Sequence, residues 1–125
     1  GSAIALKAID VIMNEGLAEN VCKLTPYFEA HMKRLLENPN IGEARGKGLM
    51  GALEAVKDKS TKTPFAADLS ISERIANTCT DHGLICRPLG QSIVLCPAFI
   101  FTESRIDEMF EKLEAALKIV FSDVA

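Results

Sequence analysis

Two long stretches of this chain repeat apolar residues every three or four positions, and between them lie only short apolar runs punctuated by glycine and proline. From Leu17 to Glu37 the repeating positions are Leu17, Val21, Leu24, Phe28, Met32 and Leu35. From Glu103 to about Phe121 they are Ile106, Met109, Phe110, Leu113, Leu117 and Val120. That period belongs to amphipathic helices with one face reserved for a core. Pro26 is expected to bend or divide the first helix, and Asn38-Pro39 to end it. Thr102 is placed to cap the second, with Glu108–Lys112 and Glu114–Lys118 as favourable i,i+4 pairs on its outer face.

The remaining segments fit between and before these helices. Ala3 to Glu15 carries Ile4, Ala8, Val11 and Ile12 at helical spacing and stops at Gly16, a residue suited to the left-handed position after a helix. Its start lacks a convincing cap, so the beginning reads as truncated, with Gly1-Ser2 either native or a cloning scar. Ile41–Arg45 and Leu49–Val56 read as extended segments joined through Gly46-Lys47-Gly48. Lys57 to Pro64 is a charged, turn-rich loop. Ser70-Ile71-Ser72-Glu73 has the pattern of a capping box opening a helix that runs to about His82, where Gly83 takes the position after the helix. Leu84–Arg87 and Ser92–Cys96 then form a hairpin around Pro88-Leu89-Gly90-Gln91. The order helix, helix, strand, strand, helix, strand, strand, helix predicts an α+β fold, a small, mainly antiparallel sheet packed with helices. With 125 residues, of which 48% are hydrophobic, residues 1–125 are expected to form a single domain.

Composition excludes several function classes. The net charge is −3, which offers no footprint for a phosphate backbone, so nucleic acid is not an expected partner. No apolar run approaches the roughly 18 to 20 residues that span a bilayer, and no membrane association is expected. The N-terminus has no basic leader before its apolar residues, which makes cytoplasmic residence the default. Cys22, Cys79, Cys86 and Cys96 form no CxxC pair and have no nearby histidine spacing, so no metal site is expected. Three of the four sit in apolar surroundings, where a free cysteine acts as a small hydrophobe.

Few residues invite chemistry. Arg45-Gly46-Lys47-Gly48 leads into a strand and lacks the spacing of a phosphate loop. His31 lies inside a helix and His82 at a helix end where the dipole favours a cation; neither has a visible nucleophile partner. Glu54 has no second carboxylate at a useful spacing. No catalytic residue is assigned. The exception is Arg87, the only charged residue between Gly83 and Phe101. If the hairpin pairs Arg87 with Ile93, then Ile85 and Leu95 share its face, and a guanidinium among them needs an anion. Its planar fork suits a carboxylate held by two hydrogen bonds. It could equally sit at the strand end, reach water, or pair with Glu43 or Glu54.

Three stretches together resemble the class III, omega-type aminotransferases of fold type I. They are Ala3-Ile4-Ala5-Leu6-Lys7-Ala8-Ile9-Asp10 leading to Glu15-Gly16-Leu17, then Arg45-Gly46-Lys47-Gly48-Leu49-Met50, then Gly83-Leu84-Ile85-Cys86-Arg87-Pro88-Leu89-Gly90. Ser92-Ile93-Val94-Leu95-Cys96-Pro97 and Thr102-Glu103 complete the pattern, although Ala98 stands where the family often has a second proline. The resemblance covers essentially the whole chain and implies the C-terminal small domain of a pyridoxal 5'-phosphate (PLP) dependent enzyme. Such an enzyme transfers an amino group from an amine or amino acid to a 2-oxo acid such as pyruvate, usually as a homodimer. Arg87 matches the family arginine that binds the substrate carboxylate. The family's cofactor-binding lysine, ring-nitrogen aspartate and phosphate ligands belong to a large N-terminal domain absent here. The resemblance therefore implies no cofactor and no activity in these residues alone. The alternative is a free-standing module that binds small carboxylates or regulates through them, using the same arginine.

Overall fold

A computed structural model describes all residues, Gly1–Ala125. Its elements are α1 (Ser2–Asn14), α2 (Leu17–Leu35), β1 (Ile41–Lys47), β2 (Met50–Ala55), a 3-10 turn (Ala67–Leu69), α3 (Ile71–Asp81), β3 (Arg87–Leu89), β4 (Ser92–Leu95) and α4 (Glu103–Asp123). The α+β reading and the element order hold. All strands pair antiparallel in the order β1-β2-β4-β3, which puts the two hairpins side by side with β3 and β1 as edges.

Every helix face that carries a core pattern points to one side of this sheet. Leu24, Phe28, Met32 and Leu35 of α2, Ile71, Ile75 and Cys79 of α3, and Ile106, Phe110, Leu113 and Leu117 of α4 join Leu53, Ile93 and Leu95 of the sheet in one buried cluster. Phe28 lies against the sheet where β2 has Gly51: a Cβ there would stand 2.9 Å from the Phe28 ring and 3.0 Å from the Met32 methyl. The glycine makes room for the ring. α1 buries none of its residues, and its Ile4, Leu6 and Met13 are 70% or more exposed.

Several local expectations are corrected. α2 runs through Pro26 without a break. Pro26 and Cys22, whose carbonyl loses its helical donor, both face solvent, where water can serve that carbonyl. The capping box does not form. Ser70 has φ 45°, in the left-handed region, and its side chain accepts no cap hydrogen bond; only its carbonyl takes the Arg74 N–H. Thr102 does cap α4, accepting from the Arg105 N–H. Glu108–Lys112 forms at 2.9 Å, but Glu114 pairs with Arg34 of α2 at 3.0 Å instead of with Lys118. Among the cysteines only Cys79 is buried and Cys86 half-buried; Cys22 and Cys96 are exposed.

The hairpins are tighter than the sequence suggested. β1 extends through Lys47, which pairs with Met50, leaving the two-residue loop Gly48-Leu49 with Gly48 at φ +60°. The predicted strand Leu84–Arg87 is displaced to Arg87–Leu89, because Leu84 turns its N–H back to the Cys79 carbonyl at 2.8 Å and closes the end of α3. Leu89 then pairs with Ser92 across Gly90-Gln91, with Gly90 at φ +61°.

Candidate functional site

Strand register decides where Arg87 points. It pairs with Val94, not with Ile93. Ile93 and Leu53 are fully buried under the helices, so the alternate positions Val94 and Ala52 face away from them. Arg87, Val94, Ala52 and Arg45 thus form one cross-strand row on the face that no helix covers. Leu95 belongs to the opposite face, and Ile85 precedes the strand and is 89% exposed. Of the placements the sequence left open for Arg87, the structure has the exposed one, at the start of the edge strand β3.

The row has an apolar middle and charged ends. Ala52 and Val94 are half-buried, while Arg45 and Arg87 are exposed, separated by three strand spacings or roughly 14 Å between backbones. Arg45 is engaged by Glu43 at 2.9 Å. Glu54 lies in the neighbouring row between Ser92 and Glu43. Neither acid reaches Arg87, which enters none of the ion pairs of the chain. Its guanidinium donates to no side chain of this chain, and a planar array of donors of this kind can hold a carboxylate through two hydrogen bonds. Beside it, a shallow depression of about 380 Å³ is lined by Arg45, Lys47, Met50, Ala52 and Val94. The Arg45-to-Gly48 segment, set aside as a phosphate loop, therefore contributes two cations to this same face.

A second polar group joins α2 to α4. Asp107 accepts hydrogen bonds from the Tyr27 hydroxyl and from His31 Nε2 at 2.8 Å, while the His31 ring stacks on Phe110 at 4.6 Å. The Tyr27 and His31 hydrogen bonds hold the Asp107 carboxyl below the usual carboxylate range, and the same carboxylate raises the Tyr27 hydroxyl. His31 and Asp107 stand 76 residues apart, so no local pattern announced the pair. No serine or cysteine is hydrogen-bonded to His31, and the group fastens two helices rather than forming a nucleophile and base. His82 turns its Nδ1 to the Thr78 carbonyl at 2.9 Å, at the exposed end of α3.

Together these features describe an α+β chain with its helices on one side of the sheet and, on the other face, an exposed arginine that enters no ion pair. Comparison with known proteins supplies the family. Residues 1–117 match the family described as aminotransferase class-III. An omega-aminotransferase of Paracoccus denitrificans is 76% identical in solved structure with a TM-score of 0.95, covering 98% of this chain and 27% of that one. The aminotransferase of Vibrio fluvialis, solved in a PMP-bound form and as a PLP-bound mutant, is 72% and 71% identical, again at TM-score 0.95 and over 98% of this chain and 27% of its own. A putrescine–pyruvate aminotransferase of Pseudomonas aeruginosa is 34% identical over 109 residues, 86% of this chain and 24% of its own length. The chain belongs to the class III aminotransferase family, and it spans about a quarter of the length of the relatives it matches.

Proposed function

We propose that this chain is the small domain of a PLP-dependent aminotransferase that moves an amino group from an amine or amino acid to a 2-oxo acid such as pyruvate, and that Arg87 binds the carboxylate of the acid partner. The observation that carries the reading is the unpaired guanidinium of Arg87 at the edge of an uncovered sheet face, with the apolar Val94 directly beside it. A carboxylate clamped there has its chain aligned along an apolar surface, and the reacting carbon is oriented by the clamp at its far end.

PLP, when bound, supplies the electron sink for amino transfer and needs a lysine and a partner for its ring nitrogen. The residues of this chain do not fit that need. Lys112, half-buried, is held by Glu108 at 2.9 Å, and every other lysine is exposed. We therefore assign the cofactor to a larger N-terminal domain, and the catalytic unit to a homodimer in the cytoplasm. The exposed apolar side chains of α1, Ile4, Leu6 and Met13, support a partner surface, and four free cysteines support a reducing compartment.

The test uses the full-length protein loaded with PLP and follows alanine formation from pyruvate and a simple amine. Arg87→Ala is expected to raise KM for pyruvate roughly 10- to 100-fold, the loss of a charge-assisted pair of hydrogen bonds worth about 1.5–3 kcal/mol, while KM for the amine, which carries no carboxylate, stays within about twofold. Absence of amino transfer from the folded, loaded protein would refute the activity. An equal effect on both substrates would refute the role of Arg87.

A further inference from the structure

Ser72, in the first turn of α3, is the only polar residue among those the fold buries. A hydroxyl in such a place costs stability unless it finds a partner, and an alanine would fill the space as well. Its partner is the Gly90 carbonyl, to which it donates at 2.7 Å. Gly90 opens the two-residue turn between β3 and β4 and holds φ +61°. What the hydroxyl adds is therefore direction: it ties the beginning of α3 to the turn that sets the register of Arg87. Little else holds β3. Only Arg87, Pro88 and Leu89 pair with β4, the middle one has no N–H, and the outer edge of the strand is open. Upstream, the Leu84 N–H returns to the Cys79 carbonyl at 2.8 Å; downstream, the Gln91 carbonyl takes the Ala55 N–H at 3.0 Å. Cys79 and Ser72 are thus two grips of one helix, about 10 Å apart along its axis, on either side of the segment that carries Arg87.

We propose that Ser72 is a positioning residue for Arg87: its hydrogen bond to Gly90 holds the β3–β4 turn against α3 and so aims the guanidinium at the carboxylate of the 2-oxo acid. The proposal rests on the reading that Arg87 binds that carboxylate. Ser72 itself acts only through the turn. Without its hydroxyl the Gly90 carbonyl is free to turn to water, because Gly90 is exposed. The end of β3 nearest the turn then loses its tie to the helix, while the Leu84 anchor and the three ladder pairs remain. Two hydrogen bonds to one carboxylate require a fixed orientation of the arginine, so a looser strand weakens the clamp without removing its charge. The effect is confined to the substrate that carries the carboxylate.

The experiment uses the full-length protein loaded with PLP. It compares Ser72→Ala, Arg87→Ala and the double variant by kcat/KM for pyruvate and for a simple amine, beside hydrogen exchange followed by mass over residues 89–94. Ser72→Ala is expected to lower kcat/KM for pyruvate about 3- to 10-fold, less than removal of the guanidinium does, and to leave the amine value within about twofold. Exchange in the turn peptide should be faster. In the Arg87→Ala background the same change should cost less than about twofold, because no guanidinium remains to be aimed. Ser72→Cys, which fills the same space with a weaker donor, should move the pyruvate value in the same direction. An undiminished pyruvate value in Ser72→Ala, where Arg87→Ala loses it, would overturn the positioning role and leave the carboxylate reading standing. An equal loss for both substrates, or the same loss with and without Arg87, would overturn it by showing that Ser72 serves the fold alone. No loss in Arg87→Ala would overturn both readings.

Discussion

Gly51→Ala places one methyl group where the structure has no space for it. Gly51 sits in the extended backbone of β2, opposite Leu95 and Gly46, and an alanine Cβ would lie 2.9 Å from Phe28 Cζ, 3.0 Å from Phe28 Cε1 and 3.0 Å from Met32 Cε. The methionine can yield by rotating its end, but Phe28 is fully buried and packed on Phe110 at 5.6 Å. The ring must therefore move by several tenths of an ångström and carry α2 with it. Overpacking of this kind costs about 1–3 kcal/mol. The glycine's φ is not positive, so alanine regains about 0.4–1 kcal/mol through the unfolded chain. The net is a destabilisation of about 1–2 kcal/mol, or a fall of roughly 3–8 °C in Tm. Urea unfolding followed by far-UV circular dichroism measures it, together with Phe28→Leu and the double variant. Phe28→Leu has its own cost from the lost ring, but in that background Gly51→Ala should cost about 1 kcal/mol less than it does alone. A neutral or stabilising Gly51→Ala, with no coupling to Phe28→Leu, would refute the claim that β2 needs this glycine for the ring.

Ser72 is 4% exposed and donates its hydroxyl to the Gly90 carbonyl at 2.7 Å; Ser72→Ala should lose about 1 kcal/mol in urea unfolding, and an unchanged midpoint would show that the bond does not steady the β3–β4 loop. Asp107 has its folded pKa depressed by the hydrogen bonds from Tyr27 and His31, so its contribution to stability is present above the ordinary carboxylate value of 3.8 and fades as pH falls through the lower folded value. Asp107→Asn should flatten, without abolishing, the fall in urea midpoint between about pH 6 and about pH 3, since Asp58 and Glu108 are depressed in the same direction. A variant that keeps the parent's slope would place the acid sensitivity elsewhere.

The helices were legible because a period near 3.6 is written over many turns, and a long repeat such as Leu24, Phe28, Met32 and Leu35 survives even a proline on the solvent side. The edge of the sheet was not. Leu84 to Arg87 reads as an apolar strand, yet Leu84 serves the end of α3 and only Arg87 reaches the ladder. A short apolar run carries no period that separates a helix-closing contact from a strand. Pro88, assigned from the sequence to the turn of the hairpin, is tolerated in the ladder because β3 is an edge strand and need not donate on its outer side. The capping pattern at Ser70 failed for a different reason: with φ 45° the residue is already committed to the turn after the 3-10 segment. Its side chain accepts no hydrogen bond from the amides of the helix it precedes. The link between His31 and Asp107 is tertiary and left no local trace.

The orientation of Arg87 is the point on which fold and function meet, and one residue of register settles it. Pairing with Ile93 would have put the guanidinium on the side of Ile93 and Leu53, both wholly buried beneath the helices, where an unpaired charge is untenable. The two-residue loop Gly90-Gln91 prevents this. With Gly90 at φ +61° the chain turns in two residues and sets Leu89 against Ser92, which fixes Arg87 against Val94. Pro88, facing the helices from the edge, takes the alternate position and needs no donor there. The arginine is therefore aimed by the turn and by strand alternation, not by a partner in its own chain. A cation held outward by the backbone, and left free of the acids at Glu43 and Glu54, remains available to an anion supplied from outside.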